Sequence, residues 1–178
     1  MSTIIKKITF CLLLSTLLIS CTNYNTKKIN VISDLESITR QDYNLLNLFP
    51  ILELRNNLKI AKLNLAKIEE KKIDSITMEL IYFEYKAYIN CVTAVYESTQ
   101  EIDLLNKVLA TNMTQLKNIK SDYQNSRSKR EDLTPHLIEE GEIVHETSLR
   151  IQGLINQLDI QILEFDSLNA EIEVLIDL

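Results

Sequence analysis

The sequence is almost free of the residues that end helices. It has two glycines and two prolines among 178 residues, and all four lie outside residues 51–134. Because glycine and proline are the strongest local signals for turns, their scarcity predicts long, uninterrupted elements. Apolar residues recur there every three or four positions, which is the period of a helix that packs on one face. The sequence therefore predicts an all-α protein built from a few long helices.

Breaks in the apolar pattern divide the chain into four predicted helices, over residues 34–46, 50–72, 75–125 and 135–176. Pro50 and the Thr134-Pro135 pair mark two helix starts, because proline is favoured at the first helical position and Thr134 is predicted as the N-cap. Ser33-x-x-Glu36 matches a capping box and marks another. At residues 71–74 the apolar spacing slips by one residue, which favours a turn over one continuous helix.

Three of the predicted helices carry an apolar seam with alternating steps of four and three residues, the repeat of coiled coils. In the second helix the seam is Leu54, Leu58, Ala61, Leu65 and Ile68. In the third, an approximate stripe is Leu80, Phe83, Ala87, Cys91, Ala94, Ser98, Leu105 and Leu109. In the last it is Ile151, Ile155, Leu158, Ile162, Phe165, Asn169, Ile172 and Ile176. A polar seam residue such as Asn169 can fix the register of packed helices.

These seams predict an elongated antiparallel helical bundle that forms a single domain over residues 33–178. The third and fourth helices are expected to form a long two-helix, coiled-coil-like hairpin. The second helix is expected to cover only part of that hairpin and to leave a two-helix arm at its far end. Such an arm would leave some of its apolar seam uncovered, which is compatible with a homodimer.

The first 20 residues have the composition of a signal peptide. Lys6 and Lys7 precede an apolar run that is too short to span a bilayer comfortably. The run ends in Leu18-Ile19-Ser20-Cys21, which resembles the lipobox of bacterial lipoproteins. In that family the cysteine receives a covalent N-acyl diacylglyceryl lipid, and several acyl chains anchor a protein firmly. Residues 21–32 would then be the lipidated cysteine and a flexible tether.

Charge is distributed unevenly along the chain. Residues 51–73 contain six basic and three acidic residues, net +3, whereas residues 131–178 contain twelve acidic residues and one arginine, net −11. A strongly acidic final third argues against nucleic acid as a partner. The asymmetry predicts that the basic second helix lies near the acidic last helix.

Few residues suggest catalysis or metal binding. Glu142-x-x-His145 has the spacing used in di-iron bundles, but the chain has no second Glu-x-x-His motif, so no metal is predicted. Cys91 lies on an apolar seam, where cysteine usually acts as a small hydrophobic residue, although an intermolecular disulfide is a second interpretation. With no glycine-rich phosphate loop and no nucleophile elbow, the sequence predicts neither an enzyme nor a bound cofactor.

Two groups of side chains are candidates for partner contacts. Tyr82, Tyr85, Tyr88 and Tyr96 are typical of a helical core, or alternatively of an adhesive face. Arg127, Lys129 and Arg130 fall at the predicted tip of the hairpin, where they would meet an acidic partner such as a glycosaminoglycan or anionic lipid. A solvated turn is the simpler interpretation of these three residues.

The lipobox, the following segment TNYNTKKIN and the acidic helical body together resemble the plasmid-encoded surface lipoproteins of Lyme-disease spirochaetes (Borrelia). The resemblance implies a lipid-anchored, surface-exposed outer-membrane protein that binds a protein partner, such as a host or vector molecule. The alternative function is a periplasm-facing structural or assembly lipoprotein, including a phage-derived envelope component. The resemblance assigns no binding residues.

Overall fold

The computed structural model describes residues 25–71, 75–126 and 130–177. These residues form four α-helices, which are α1 (Thr26–Leu48), α2 (Ile51–Glu70), α3 (Ser75–Asn125) and α4 (Thr134–Asp177). A short 3-10 turn, Glu131–Leu133, precedes α4. The described ranges contain no β-strand, which confirms the predicted all-α bundle. The starts and ends of α2, α3 and α4 lie within two residues of those predicted.

Helix α1 begins earlier than the sequence suggested. It starts at Thr26, so residues 26–32, which were predicted to belong to a flexible tether, form its first two turns. The predicted capping box is wrong, because the Ser33 hydroxyl lies inside the helix and donates to the Ile29 carbonyl one turn back, at 2.9 Å. The helix extends this far because Ile29 and Ile32 pack into a hydrophobic cluster.

Helix α4 starts where proline predicted, but without the expected cap. Thr134 already has helical backbone angles, with φ −62° and ψ −42°. Its hydroxyl is buried and has no hydrogen-bond partner. The prediction of Thr134 as a side-chain cap is therefore wrong, and the preceding 3-10 turn carries the chain into the helix instead.

The described chain divides into two compact units. Unit 1 comprises residues 25–40 and 110–146 of the described chain, and unit 2 comprises residues 41–109 and 147–177. Parts of α1, α3 and α4 contribute to each unit, whereas α2 belongs entirely to unit 2.

Three helical segments pack together in unit 1. Their buried core residues are Ile32, Leu116, Tyr123, Leu137 and Val144. Two polar contacts hold the α1 segment against α3, since the Asn25 amide donates to the Tyr123 carbonyl at 3.0 Å and Lys120 forms an ion pair with Glu36. The predicted two-helix arm is therefore wrong here, because α1 covers this end of the hairpin and removes the uncovered seam on which a homodimer was inferred.

Unit 2 has the larger hydrophobic core. Its buried side chains come from α1, α2, α3 and α4, among them Leu46, Leu54, Ala61, Ile68, Leu105, Leu109, Ile151, Leu158, Phe165 and Ile172. The predicted α2 and α4 seams are confirmed, and because both helices contribute to this core, the basic and acidic helices are close, as expected. The Arg55 ion pair nevertheless reaches Asp103 of α3. The contacts Tyr88–Asn169 and Ser98–Gln161 confirm that α3 and α4 run antiparallel.

The predicted stripe on α3 is displaced at its beginning. Phe83 is 78% exposed and Ala87 is also exposed, so neither belongs to the core. Further along, Cys91, Ser98, Leu105 and Leu109 are buried as predicted, and Ile81, Tyr88, Val95 and Ile102 are buried with them. These residues keep a single heptad phase along the helix, and Tyr88 can occupy a core position because its hydroxyl finds a hydrogen-bond partner there.

Candidate interaction surfaces

An open groove lies between α2 and α3 on the outer side of unit 2. Leu58, Lys59 and Lys62 of α2 form one wall, and Val92, Thr93 and Tyr96 of α3 form the other. The groove encloses about 460 Å³. Its floor is apolar, and two lysine side chains supply positive charge along one edge. We call these six residues the lysine groove.

The four tyrosines that the sequence singled out on α3 divide into two structural classes. Tyr88 is fully buried in the core, and Tyr85 is partly buried against it. Tyr82 and Tyr96 are about half exposed, at 47% and 55%. Tyr82, Ile89 and Tyr96 are seven residues apart and therefore share one helix face. The core interpretation holds for Tyr88, while Tyr96 belongs to the lysine groove.

A small polar layer crosses the core of unit 2. The side-chain oxygen of Asn169 accepts hydrogen bonds from the Tyr88 hydroxyl at 2.7 Å and from the Asn64 amide at 3.0 Å. The Asn169 amide donates to Glu173 at 2.9 Å. Asn169 was predicted as the polar seam residue, but Asn64 and Tyr88 were not predicted as its partners. Because the layer joins three helices, it fixes their register.

A second groove, of about 290 Å³, lies in unit 1 between α3 and α4. Gln115, His136, Glu139 and Glu140 supply its polar groups. The Gln115 amide lies 2.8 and 3.1 Å from the carboxylate oxygens of Glu140, and donates to both when its nitrogen faces them. Burial raises the pKa of Glu140, and the neighbouring Glu139 charge raises it further. Gln115 therefore satisfies a carboxyl group that is otherwise costly to bury.

The basic residues predicted at the hairpin tip are only partly described. Arg127 and Lys129 lie outside the described residues. Arg130 makes a bidentate contact with Asp132, at 2.9 and 3.0 Å, and this contact is exposed. The Asp132 hydrogen bond raises the pKa of Arg130, and the Arg130 hydrogen bond lowers the pKa of Asp132. Arg130 is therefore paired locally, and its contact with an acidic partner stays a prediction.

Cys91 is enclosed in unit 2. It is 5% exposed, and its sulfur lies 3.8 Å from the Gln161 carbonyl oxygen. Burial, with a smaller contribution from Glu164, raises the pKa of this thiol to about 11. Since the thiolate is the reactive form, the side chain is chemically quiet at neutral pH. This agrees with the interpretation of Cys91 as a small hydrophobic residue.

The described ranges give no sign of a metal centre, since no three His, Cys, Asp or Glu side chains in them are grouped to hold an ion. Glu142 and His145 are both exposed on α4. Among the described helices, none combines the length and apolarity needed to cross a membrane. The signal segment, with Leu18, Ile19, Ser20 and the lipidation site Cys21, lies outside the described residues, so lipidation stays a prediction.

Comparison with known proteins gives no relative to which this chain can be assigned. No protein-family model matches the sequence, and neither a curated protein nor a solved structure is significantly similar to it.

Proposed function

We propose that this chain is a lipid-anchored outer-membrane protein, displayed at the cell surface, whose helical body binds protein partners. The anchor would be the lipid on Cys21, attached after cleavage of the signal peptide at Leu18-Ile19-Ser20. The partners expected from the sequence are host or vector molecules. The alternative is a periplasm-facing structural or assembly role for the same body.

The observation that carries the proposal is the lysine groove. Grooves between two helices, with an apolar floor and a polar edge, accept amphipathic helices from other proteins. Exposed apolar surface that is continuous between neighbouring elements commonly marks a contact site. Leu58 and Val92 supply such a floor, and Lys59 and Lys62 favour a ligand that carries negative charge.

The anchor is tested by replacing its cysteine. Cys21→Ala should move the full-length protein out of the membrane fraction, because no acyl chains can then be attached. Cys11→Ala is the matched control, since that cysteine lies within the predicted signal peptide, and it should leave the distribution unchanged. Tight membrane retention of the Cys21→Ala variant would contradict the anchor.

Display at the surface is tested by adding protease to intact cells, with a known periplasmic protein as the internal control. Loss of the protein, with the control intact, supports outward display. Survival of both proteins would contradict surface display and favour the periplasm-facing alternative.

Binding in the groove is tested with a photocrosslinking residue placed at Thr93 in the full-length protein. The same residue at Ala87, which is exposed and lies about 120° around α3 from Thr93, is the control. A discrete crosslinked protein at position 93 but not at position 87 supports the groove as a contact site. Equal or absent crosslinking at the two positions would contradict it.

A further inference from the structure

The outward face of α4 in unit 2 carries a second heptad stripe that the core does not use. The spacing along this stripe alternates between four and three residues, and every residue in it is exposed. The stripe consists of Leu149, Gly153, Asn156, Ile160, Leu163, Ser167, Ala170 and Val174. The largest members are strongly exposed, with Ile160 at 64%, Leu163 at 73% and Val174 at 63%. Four of its residues are aliphatic, and the small residues Gly153, Ser167 and Ala170 leave room for another helix to approach. We call these eight residues the outer stripe.

Acidic residues border the outer stripe on both sides. Glu164 and Glu171 lie one heptad apart on one side, and Asp159, Asp166 and Glu173 repeat at the same interval on the other. Between residues 147 and 178, six acidic residues against one arginine give a net charge of −5. In coiled coils, charges that flank an apolar seam select the partner. The partner of this stripe should therefore be apolar at its centre and basic at its edge.

The lysine groove has these properties. Its floor is apolar, and Lys59 and Lys62, one helical turn apart, lie along one edge. The groove and the outer stripe lie on different helices of the same unit. A single copy therefore presents one acidic helix face and one basic groove.

We propose that the lysine groove of one copy receives the outer stripe of α4 from a second copy of this chain. The inference rests on the proposed role of the groove as an interaction surface, and it identifies the occupant. The apolar floor covers the aliphatic residues of the stripe, while Lys59 and Lys62 face the carboxylates that border it. Opposite charges at such an edge set the orientation and speed of association more than its strength.

The contact joins two different surfaces, so it is heterologous. The copy that supplies the stripe still has an empty groove, and the copy that supplies the groove still has an uncovered stripe. Such contacts continue into a ring or an open chain instead of stopping at a symmetric dimer. The expected assembly therefore grows beyond two copies as the protein concentration rises.

The first test measures the mass of the full-length protein in a nonionic detergent, by light scattering across a concentration series. The wild-type protein should form oligomers that grow with concentration. They should weaken when salt rises from about 50 mM to about 500 mM, because exposed charges are then screened. A wild-type protein that stays monomeric throughout the series overturns the proposal.

The decisive test uses two charge-reversal variants. Lys59→Glu/Lys62→Glu disables the groove and leaves the stripe intact, whereas Glu164→Lys/Glu171→Lys disables the stripe and leaves the groove intact. Each variant alone should associate about tenfold more weakly or worse, because like charges then meet across the contact. In a mixture, the acidic stripe of the first variant meets the basic groove of the second, and the basic stripe of the second meets the acidic groove of the first. Opposite charges face each other at both contacts, so the mixture should regain the assembly that each variant alone loses.

Matched controls separate a specific contact from a general effect of charge. Lys27→Glu/Lys117→Glu makes the same change in net charge on unit 1, and Glu142→Lys/Glu146→Lys is the counterpart for the acidic variant. All four positions are exposed, and both controls should assemble like the wild type. Equal losses in the controls and the test variants, or a mixture that stays monomeric, would overturn the proposal. Circular dichroism of each variant checks that the helices are retained.

The same experiments distinguish this inference from the proposed function. If the wild type is monomeric but a residue at Thr93 crosslinks to a different protein, self-assembly is wrong and the binding role stands. If Cys21→Ala leaves the protein in the membrane while the charge-reversed mixture regains its assembly, the anchor is wrong and self-assembly stands.

Discussion

Each unit buries one tyrosine, and the two tyrosine hydroxyls differ in their hydrogen bonding. In unit 2 the Tyr88 hydroxyl donates to Asn169, and Asn64 shares the same acceptor. In unit 1 the Tyr123 hydroxyl is buried without a hydrogen-bond partner. Satisfied buried polar groups specify one arrangement, whereas unsatisfied ones cost stability. In the core of unit 2, hydrogen bonds of the polar layer therefore help to fix the helix register. In the core of unit 1, the register around Tyr123 depends on the fit of the aliphatic side chains.

The cores also differ in extent. Leu158 lies within the larger core of unit 2, and Leu116 lies within the smaller core of unit 1, although both leucines are completely buried. Because surrounding side chains relax more easily where fewer of them pack together, equal truncations should cost less in the smaller core.

The largest expected effect comes from truncating these leucines. Leu158→Ala and Leu116→Ala should each lower the free energy of unfolding by about 2–5 kcal/mol, with the greater loss in unit 2. Urea denaturation gives the total loss, and hydrogen exchange assigns it to a unit. Leu52→Ala is the control, because Leu52 is 76% exposed and should change stability by no more than about 0.5 kcal/mol. If Leu116→Ala lowers the free energy of unfolding more than Leu158→Ala does, the expectation that the smaller core tolerates truncation better is wrong.

A second prediction makes the same chemical change in both units. Tyr88→Phe should lower the free energy of unfolding by about 1 kcal/mol or somewhat more, since it removes a hydrogen bond from the polar layer. Tyr123→Phe should leave stability unchanged or raise it, because it removes a buried hydroxyl with no partner. Thermal denaturation of the two variants beside the wild type measures the difference. Equal losses would show that the polar layer does not distinguish the units.

The smallest expected effect depends on pH. Burial raises the pKa of Glu140 in unit 1 and of Asp42 in unit 2, although Ser148 opposes the shift at Asp42. Each carboxyl is thus more easily deprotonated in the unfolded chain. The raised pKa therefore lowers the free energy of unfolding. This loss is absent below the pKa of the unfolded chain and grows as pH rises through the raised pKa of the folded protein.

Glu140→Gln and Asp42→Asn should therefore stabilise their units at neutral pH and lose that advantage in acid. The ordinary pKa values are 4.5 for Glu140 and 3.8 for Asp42, so the gain should vanish earlier on acidification for Glu140→Gln. Unfolding measured from neutral to acidic pH follows both variants, with Glu142→Gln on the exposed face of α4 as control. A gain that increases on acidification would contradict the assigned direction.

How much of this fold the sequence predicts depends on whether a helix marks its core with apolar residues. Helices α2 and α4 do so at nearly every seam position, and their limits were predicted closely. Helix α1 does not, because Thr39 and Asp42 occupy buried positions between Ile32 and Leu46. Its first two turns, residues 26–32, were predicted as a tether because Ile29 and Ile32 are their only core residues, too few to show a heptad.

The functional surfaces were less predictable for a related reason. Asn169 was visible as a polar interruption of an apolar seam, but its partner Tyr88 looked like one of four equivalent tyrosines. Choosing among them requires knowing which hydroxyl reaches Asn169, and that depends on the register of α3 against α4. The lysine groove likewise depends on how α2 is placed beside α3, which no single-helix pattern contains.

The buried thiol of Cys91 provides a chemical probe of how often unit 2 opens. With a pKa of about 11, only about one thiol in a thousand is ionised near pH 8, and that thiol is enclosed. Alkylation must therefore wait for the helices around it to separate. Its rate, followed by mass spectrometry of the Cys91 peptide, counts those separations directly. The same rate can be measured on the protein in intact cells, where no unfolding transition can be followed.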